Sequence, residues 1–217
     1  MIKAIIFDFD GVIIETARIK TSAFRKLFKD EFPEKIEQII SHHRQNMGIS
    51  RFVKFKHIYE NILKMPYSSG VEEALGRKFS DIVFKEALNA PFVPGALEFL
   101  DQNVGRYVFF IASGTPEGEL LEILKKRRIN RYFKKISGSP KTKPDIITSI
   151  LKGNALNPRE AVFVGDATSD MSASAQTGVN FIARLNSENS DLFKDQRWKI
   201  DDLTFLSSIL RDIEQCR

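Results

Sequence analysis

The apolar run at residues 2–7 ends abruptly in Asp8-Phe9-Asp10-Gly11-Val12, so a buried strand gives way at once to two carboxylates spaced two residues apart. A strand with no polar face belongs inside a parallel sheet covered on both sides. In such an open sheet, ligands collect in the crevice beyond the carboxyl ends of the strands. Residues i and i+2 of an extended chain point the same way. Asp8 and Asp10 can therefore share a hard cation through oxygen, or one can attack as a nucleophile while the other moves a proton. An Asx-type turn closing the strand, or part of a calcium loop, would show the same D-x-D-G pattern. The remainder of the chain has to discriminate.

Three more short stretches have the same buried-strand character: residues 106–112, 161–164 and 179–183. Helical patterns separate them. Residues 117–127 carry Leu120, Leu121, Ile123 and Leu124 on one face. Pro144 suits the first turn of a helix through Ile146, Ile147, Ile150 and Leu151, with Gly153 beyond its end. Strand and helix in alternation predict an α/β chain with a doubly wound parallel sheet. Between residues 16 and 88 the alternation stops and only helical spacing remains. Ile19, Ala23, Phe24, Leu27 and Phe28 form one face, Phe52, Phe55, Ile58, Tyr59, Ile62 and Leu63 a second, and Val71, Leu75, Phe79, Ile82 and Val83 a third. This predicts a small α-helical domain at 16–88, above a core made of 1–15 and 89–217. Pro91, Pro94 and Gly95 mark the return to that core, ahead of a helix over 96–101.

A chain of 217 residues, 42% hydrophobic and 28% charged, can bury a substantial interior. Its 18 phenylalanines sit mostly at strand or helix spacing with other apolar residues (Phe24, Phe28, Phe52, Phe55, Phe99, Phe109, Phe110, Phe163), as core residues do. No apolar run is long enough to span a bilayer, so no membrane role is expected. The first residues lack the pattern of a signal peptide, and the single cysteine, Cys216, cannot form an internal disulfide. A cytoplasmic protein is the expectation. The net charge of +5 is dispersed instead of gathered into a stripe, which argues against nucleic acid as a partner.

Two further strand ends and one loop carry polar groups. Residues 108–112 run into Ser113-Gly114-Thr115, where a hydroxyl and backbone N–H groups at a helix start can receive a phosphate oxygen. The loop Gly138-Ser139-Pro140-Lys141-Thr142-Lys143-Pro144 can hold a lysine at a helix start. Residues 161–164 lead into Gly165-Asp166-Ala167-Thr168-Ser169-Asp170, which places Asp166 where it can complete a metal site with Asp8. Asp170, one helical turn on, can orient a water or the lysine. Acid pair, hydroxyl, lysine and acid, in this order, describe a magnesium-dependent phosphoryl-transfer centre.

These motifs resemble those of the haloacid-dehalogenase-superfamily hydrolases, of the type with a helical cap inserted after the first strand. D-F-D-G-V and G-D-x-x-x-D in this order are specific, and the likeness spans nearly the whole chain. The resemblance implies a Rossmann-like core, a mobile cap, a Mg2+ cofactor and the hydrolysis of phosphoric monoesters of small metabolites. By motif, Asp8 would be the nucleophile that forms an aspartyl-phosphate, and Asp10 the acid and then the base, with a raised pKa. Asp8, the carbonyl of Asp10 and Asp166 would hold the metal. Ser113 and Gly114 would bind the phosphoryl group. The lysine is Lys143 if the segment follows the Gly-Ser-Pro-x-x-Lys branch, which it fits better, or Lys141 if it follows Lys-Pro-x-Pro-Asp. An acid at position 10 argues against C–halogen or C–P cleavage. Gly48-Ile49-Ser50-Arg51 and Thr16 also resemble β-phosphoglucomutases, but Lys20 stands where those carry histidine. Lys20, Arg44, Arg51 and Lys54 are candidates to meet a second anionic or polar group of the substrate, with Arg51 favoured. His42 and His43 are not spaced as ligands on one helix face, and no metal is assigned to them.

Overall fold

Six parallel strands form one sheet in the order β3-β2-β1-β4-β5-β6, in a computed structural model that describes residues 1–216. They are β1 (Ala4–Phe7), β2 (Val108–Pro116), β3 (Phe133–Ser139), β4 (Ala161–Gly165), β5 (Asn180–Arg184) and β6 (Lys199–Ile200). The chain winds outward from β1 to β3, then returns to lay β4 against the other side of β1. The order therefore reverses at β1, and the crevice of a doubly wound sheet opens beyond the ends of β1 and β4. The α/β expectation holds. The sheet has an apolar cluster on each face: Phe7, Phe109, Ile111 and Val164 belong to one, and Ile6, Phe110, Phe163 and Ile147 to the other. Phe7 meets Phe109 edge-on at 5.7 Å between ring centroids.

Two strands lie outside the sequence expectation. β3 carries exposed Lys134 and Lys135 because it is the edge of the sheet, where charged side chains are tolerated. β6 has only 2 residues. β2 also runs further than expected, so Ser113-Gly114-Thr115 is extended chain and not a helix start.

The core helices are α5 (Ala96–Asn103), α6 (Glu117–Lys126), α7 (Lys143–Gly153), α8 (Thr168–Thr177) and α9 (Leu206–Gln215). Gly153 closes α7 instead of following it. The Thr142 side chain caps α7 by accepting from the Asp145 N–H, ahead of the proline in its first turn.

Between β1 and α5 come α1 (Ala17–Phe28), α2 (Ile36–Gln45), α3 (Arg51–His57) and α4 (Ser69–Asn89). These helices have an apolar cluster of their own, in which Phe24, Phe28, Phe55 and Phe79 are fully buried. The Phe24 and Phe79 rings meet at 4.9 Å. The chain leaves the sheet and returns to it at one place: the Glu15 N–H donates to Pro91 O at 3.0 Å, and the Val93 N–H to Ile13 O at 3.1 Å. Arg127 holds the return by donating to the carbonyls of Ala87, Leu88 and Ala90. Among the described residues, no helix is long and apolar enough to cross a membrane.

Phe55 lies at the centre of the helical cluster, between Phe24, Phe52 and Phe79. Phe55→Ala should lower unfolding free energy by about 3–5 kcal/mol, measured by urea denaturation followed by circular dichroism.

Candidate active site

Asp8 extends β1 by one residue, its N–H donating to Val164 O at 2.9 Å. Its buried carboxylate accepts from the Phe9 N–H at 2.7 Å and from Lys143 Nζ at 2.8 Å. The chain then turns tightly around Phe9, whose carbonyl accepts from Ile13 at 2.9 Å. Gly11 makes this turn possible. It has φ 76°, and a Cβ there would stand 2.0 Å from Asp166 Oδ2. Asp8 and Asp10 border the same cavity, Asp10 on the side of Lys20 and Asp8 on the side of Lys143.

Asp10 is gripped from three sides. Thr16 Oγ1 donates to Oδ1 at 2.7 Å, while Lys20 Nζ and Thr115 Oγ1 donate to Oδ2 at 2.6 and 2.7 Å. Burial pushes the Asp10 carboxyl upward, but the Lys20 charge and the hydrogen bonds from Lys20, Thr16 and Thr115 outweigh it and hold the pKa below the ordinary value. The raised pKa expected from sequence is therefore corrected. The reversal comes from Lys20, whose reach to Asp10 no spacing rule specifies.

Across the crevice, Asp166 follows β4 and is buried. Its Oδ2 accepts from Asn186 at 3.0 Å, and its carbonyl accepts from Asn189 at 2.7 Å. Burial, with Asp8 and Asp170 close by, pushes the Asp166 carboxyl well up. Asp170, on α8, has both oxygens engaged, one by Lys143 and one by the Ala167 N–H at 3.0 Å. Burial opposes the charge on Lys143, but Asp170 and Asp8 together hold its ammonium above the ordinary lysine range. Lys143 is thus the lysine that stands at the acids. Lys141 is exposed and lies 3.9 Å from Glu117.

Carboxylate oxygens of Asp8, Asp166 and Asp170 lie within 4.8 Å of one another. An all-oxygen set of buried acids, opposed by the one ammonium of Lys143, suits a hard divalent cation. Ser113 and Gly114 border the same small cavity of about 40 Å³ as Asp8, Asp10 and Asp166. Ser113 accepts from the Thr115 N–H at 3.2 Å. Gly114 is in close contact with the helical layer, since a Cβ there would stand 2.5 Å from Gly48 O.

Arg51, favoured from sequence as a substrate contact, is engaged elsewhere. Its guanidinium forms a two-pronged pair with Glu119 of α6 at 2.7 and 2.9 Å, donates to Ser80 at 2.9 Å and lies over the Phe79 ring. A partner 68 positions away is not visible in local sequence. Arg44 is exposed. Lys20 and Lys54 both border the cavity. Residues missed from sequence are Thr115, Asn186 and Asn189. The strand-end rule could have found the asparagines had it been applied to β5, and Thr115 shares the i, i+2 relation with Ser113.

The sequence profile of a family described as haloacid dehalogenase-like hydrolase matches residues 5–184. A curated relative, the phosphorylated carbohydrates phosphatase of Thermotoga maritima, is 26% identical over 194 residues, 83% of either chain. A β-phosphoglucomutase structure from Clostridium difficile superposes with a TM-score of 0.78 at 22% identity, covering 99% of this chain and 98% of that one. A phosphonoacetaldehyde hydrolase-like protein from Oleispira antarctica gives 0.80 at 16% identity, covering 99% and 93%. At these identities the two structural likenesses speak for the fold alone.

Replacing Lys20 by methionine should let the Asp10 carboxyl titrate at higher pH, as followed by carbon NMR of the carboxyl. A depressed carboxyl pKa adds stability above the unfolded value near 4 and loses it as pH falls through the folded value. Lys20→Met should therefore be less stable than the parent by about 1–2 kcal/mol at pH 7, with the gap closing in acid.

Proposed function

The chain belongs to the haloacid dehalogenase-like hydrolases, and from that membership we propose that it is a Mg2+-dependent phosphatase acting on a small phosphorylated metabolite through an aspartyl-phosphate. One observation carries this reading: Asp8 is held between Lys143 and the Phe9 N–H at the end of β1, in a cavity that Asp10 and Asp166 also border. The likeness to the Thermotoga phosphatase adds support for a phosphorylated carbohydrate as substrate.

In this reading an Asp8 oxygen attacks phosphorus and the P–O bond to the alcohol breaks. The departing oxygen needs a proton, which the hydrogen-bonded Asp10–Lys20 pair supplies. Water then attacks the aspartyl-phosphate, Asp10 accepts its proton, and phosphate and free Asp8 result. An ionised Asp10, as Lys20 holds it, is suited to this second step. Ser113 and the Gly114 N–H receive the phosphoryl oxygens. Lys143 orients the attacking carboxylate and offsets charge beside it, and Asp170 acts by fixing Lys143. Asp8, Asp166 and the Asp10 carbonyl would hold Mg2+, the pushed-up Asp166 carboxyl being the mark of a site short of positive charge. When bound, the cation neutralises the negative charge that spreads over the phosphoryl oxygens.

Residues 16–88 serve as a cap over a core of 1–15 and 89–217. The cavity of about 40 Å³ is too small for a whole ester, and a wider one of about 250 Å³ adjoins it along Gly48, Ile49, Ser113 and Gly114. The product of hydrolysis would be released in the cytoplasm. A phosphomutase reading rests on the Gly48-Ile49-Ser50-Arg51 likeness, and the engagement of Arg51 by Glu119 weakens it.

Purified protein with Mg2+ should release phosphate from p-nitrophenyl phosphate and from at least one sugar phosphate in a metabolite panel. EDTA should stop the release, and Asp8→Asn should reduce kcat by about a thousandfold or more. Conversion of a hexose phosphate to its isomer, without free phosphate, would favour the mutase. In a separate measurement, Mg2+ should raise the melting temperature of the parent protein and leave that of Asp166→Asn nearly unchanged.

A further inference from the structure

Among the described residues, every cation bordering this cavity or the smaller one adjoining it, with one exception, is matched by a carboxylate. Lys20 is paired with Asp10 and Arg51 with Glu119, while Lys143, just behind the acids, is paired with Asp8 and Asp170. Lys54 is the exception. It lies on α3, is 3% exposed and borders the cavity opposite Asp8, Asp10 and Ser113. Among the described residues, no carboxylate lies within ion-pair distance of it.

Its one hydrogen-bond partner is the imidazole of His43, with Lys54 Nζ 3.1 Å from Nδ1. His43 is buried, stacked on Phe24 at 4.4 Å, and its Nε2 lies 3.2 Å from Thr21 Oγ1. Thr21 in turn donates to Glu188 at 3.3 Å. This chain leaves Nδ1 as an acceptor and fixes the direction of the Lys54 ammonium. Burial pushes the Lys54 pKa down, and Lys20, Lys143 and Arg51, all cationic, push it further. A buried lysine whose near neighbours are an imidazole and the Phe24 ring, with no carboxylate in ion-pair reach, is costly to keep. An apolar residue of the same length would fill this space at lower cost. The position gains its meaning once an anion enters the cavity.

We propose that Lys54 receives a second anionic group on the leaving portion of the substrate, so that favoured esters carry a carboxylate or a further phosphate away from the scissile bond. This rests on the phosphatase reading and adds to it the class of the leaving group. The transferring phosphoryl group is already served by Ser113, Gly114 and Lys143. Lys54 faces that set from the helical side, where the alcohol must lie.

The test uses the full chain with Mg2+ and matched esters: ethyl phosphate against phosphoglycolate, and a hexose monophosphate against the corresponding bisphosphate. The parent should favour the anionic member of at least one pair by about tenfold or more in kcat/KM, and Lys54→Met should bring that ratio to within about threefold of one. The pair that responds tells carboxylate from phosphate. Calorimetry on Asp8→Asn, which cannot turn over, should show the same preference in binding, and its loss in Asp8→Asn/Lys54→Met. Should Lys54→Met not fold, Lys54→Gln serves for the same ratios. Hydrolysis without a preference, a preference that Lys54 variants leave intact, or binding of neither member overturns the assignment. A parent that hydrolyses nothing but binds the anionic ester through Lys54 would overturn the phosphatase reading alone.

Discussion

A single buried ammonium holds the acid cluster together. Lys143 lies between Asp8 and Asp170, with Asp166 close by, so one positive charge opposes three carboxylates out of contact with bulk water. Burial first, and the neighbouring carboxylates after it, push Asp166 and Asp170 upward, with Lys143 opposing the rise. The sheet order, the tight turn at Gly11 and the capping of α7 by Thr142 all serve to assemble this group. A site with an excess of buried negative charge discriminates by charge before it discriminates by shape.

A second balance runs across the cavity. The inserted helices contribute a cation, and the core an acid, to each of two ion pairs that join them, Lys20 with Asp10 and Arg51 with Glu119. Lys20 reaches down to Asp10 and Thr115, and Arg51 reaches out to Glu119. Of these contacts, the Lys20–Asp10 pair borders the cavity itself, whereas the Arg51–Glu119 pair lies outside its lining.

Much of this was legible because buried parallel strands announce themselves, and because polar residues just past their ends have few other reasons to be there. Asp8, Asp10, Ser113 and Asp166 follow from that rule. Lys143 is legible as a helix-start lysine, although only folding separates it from Lys141. Illegible features are of two kinds. β3 and β6 lie at the edges of the sheet, where exposed lysines or extreme shortness erase the apolar signal. α2 is equally faint in sequence, since Ile36, Ile39, Ile40 and His43 make only a brief apolar face. The engagement of Arg51 by Glu119 and the pull of Lys20 on Asp10 depend on distances between layers, and no local pattern encodes those.

The chain departs from the sheet and rejoins it through two segments that hydrogen-bond to each other at 13–15 and 91–93. An excursion whose ends lie side by side makes little demand on the scaffold it leaves. Its length, helix count and lining can drift while the sheet continues to close on itself beneath. The helical portion is in that sense a cassette: exchanged for another with matching ends, it would leave the same acids under a different lining.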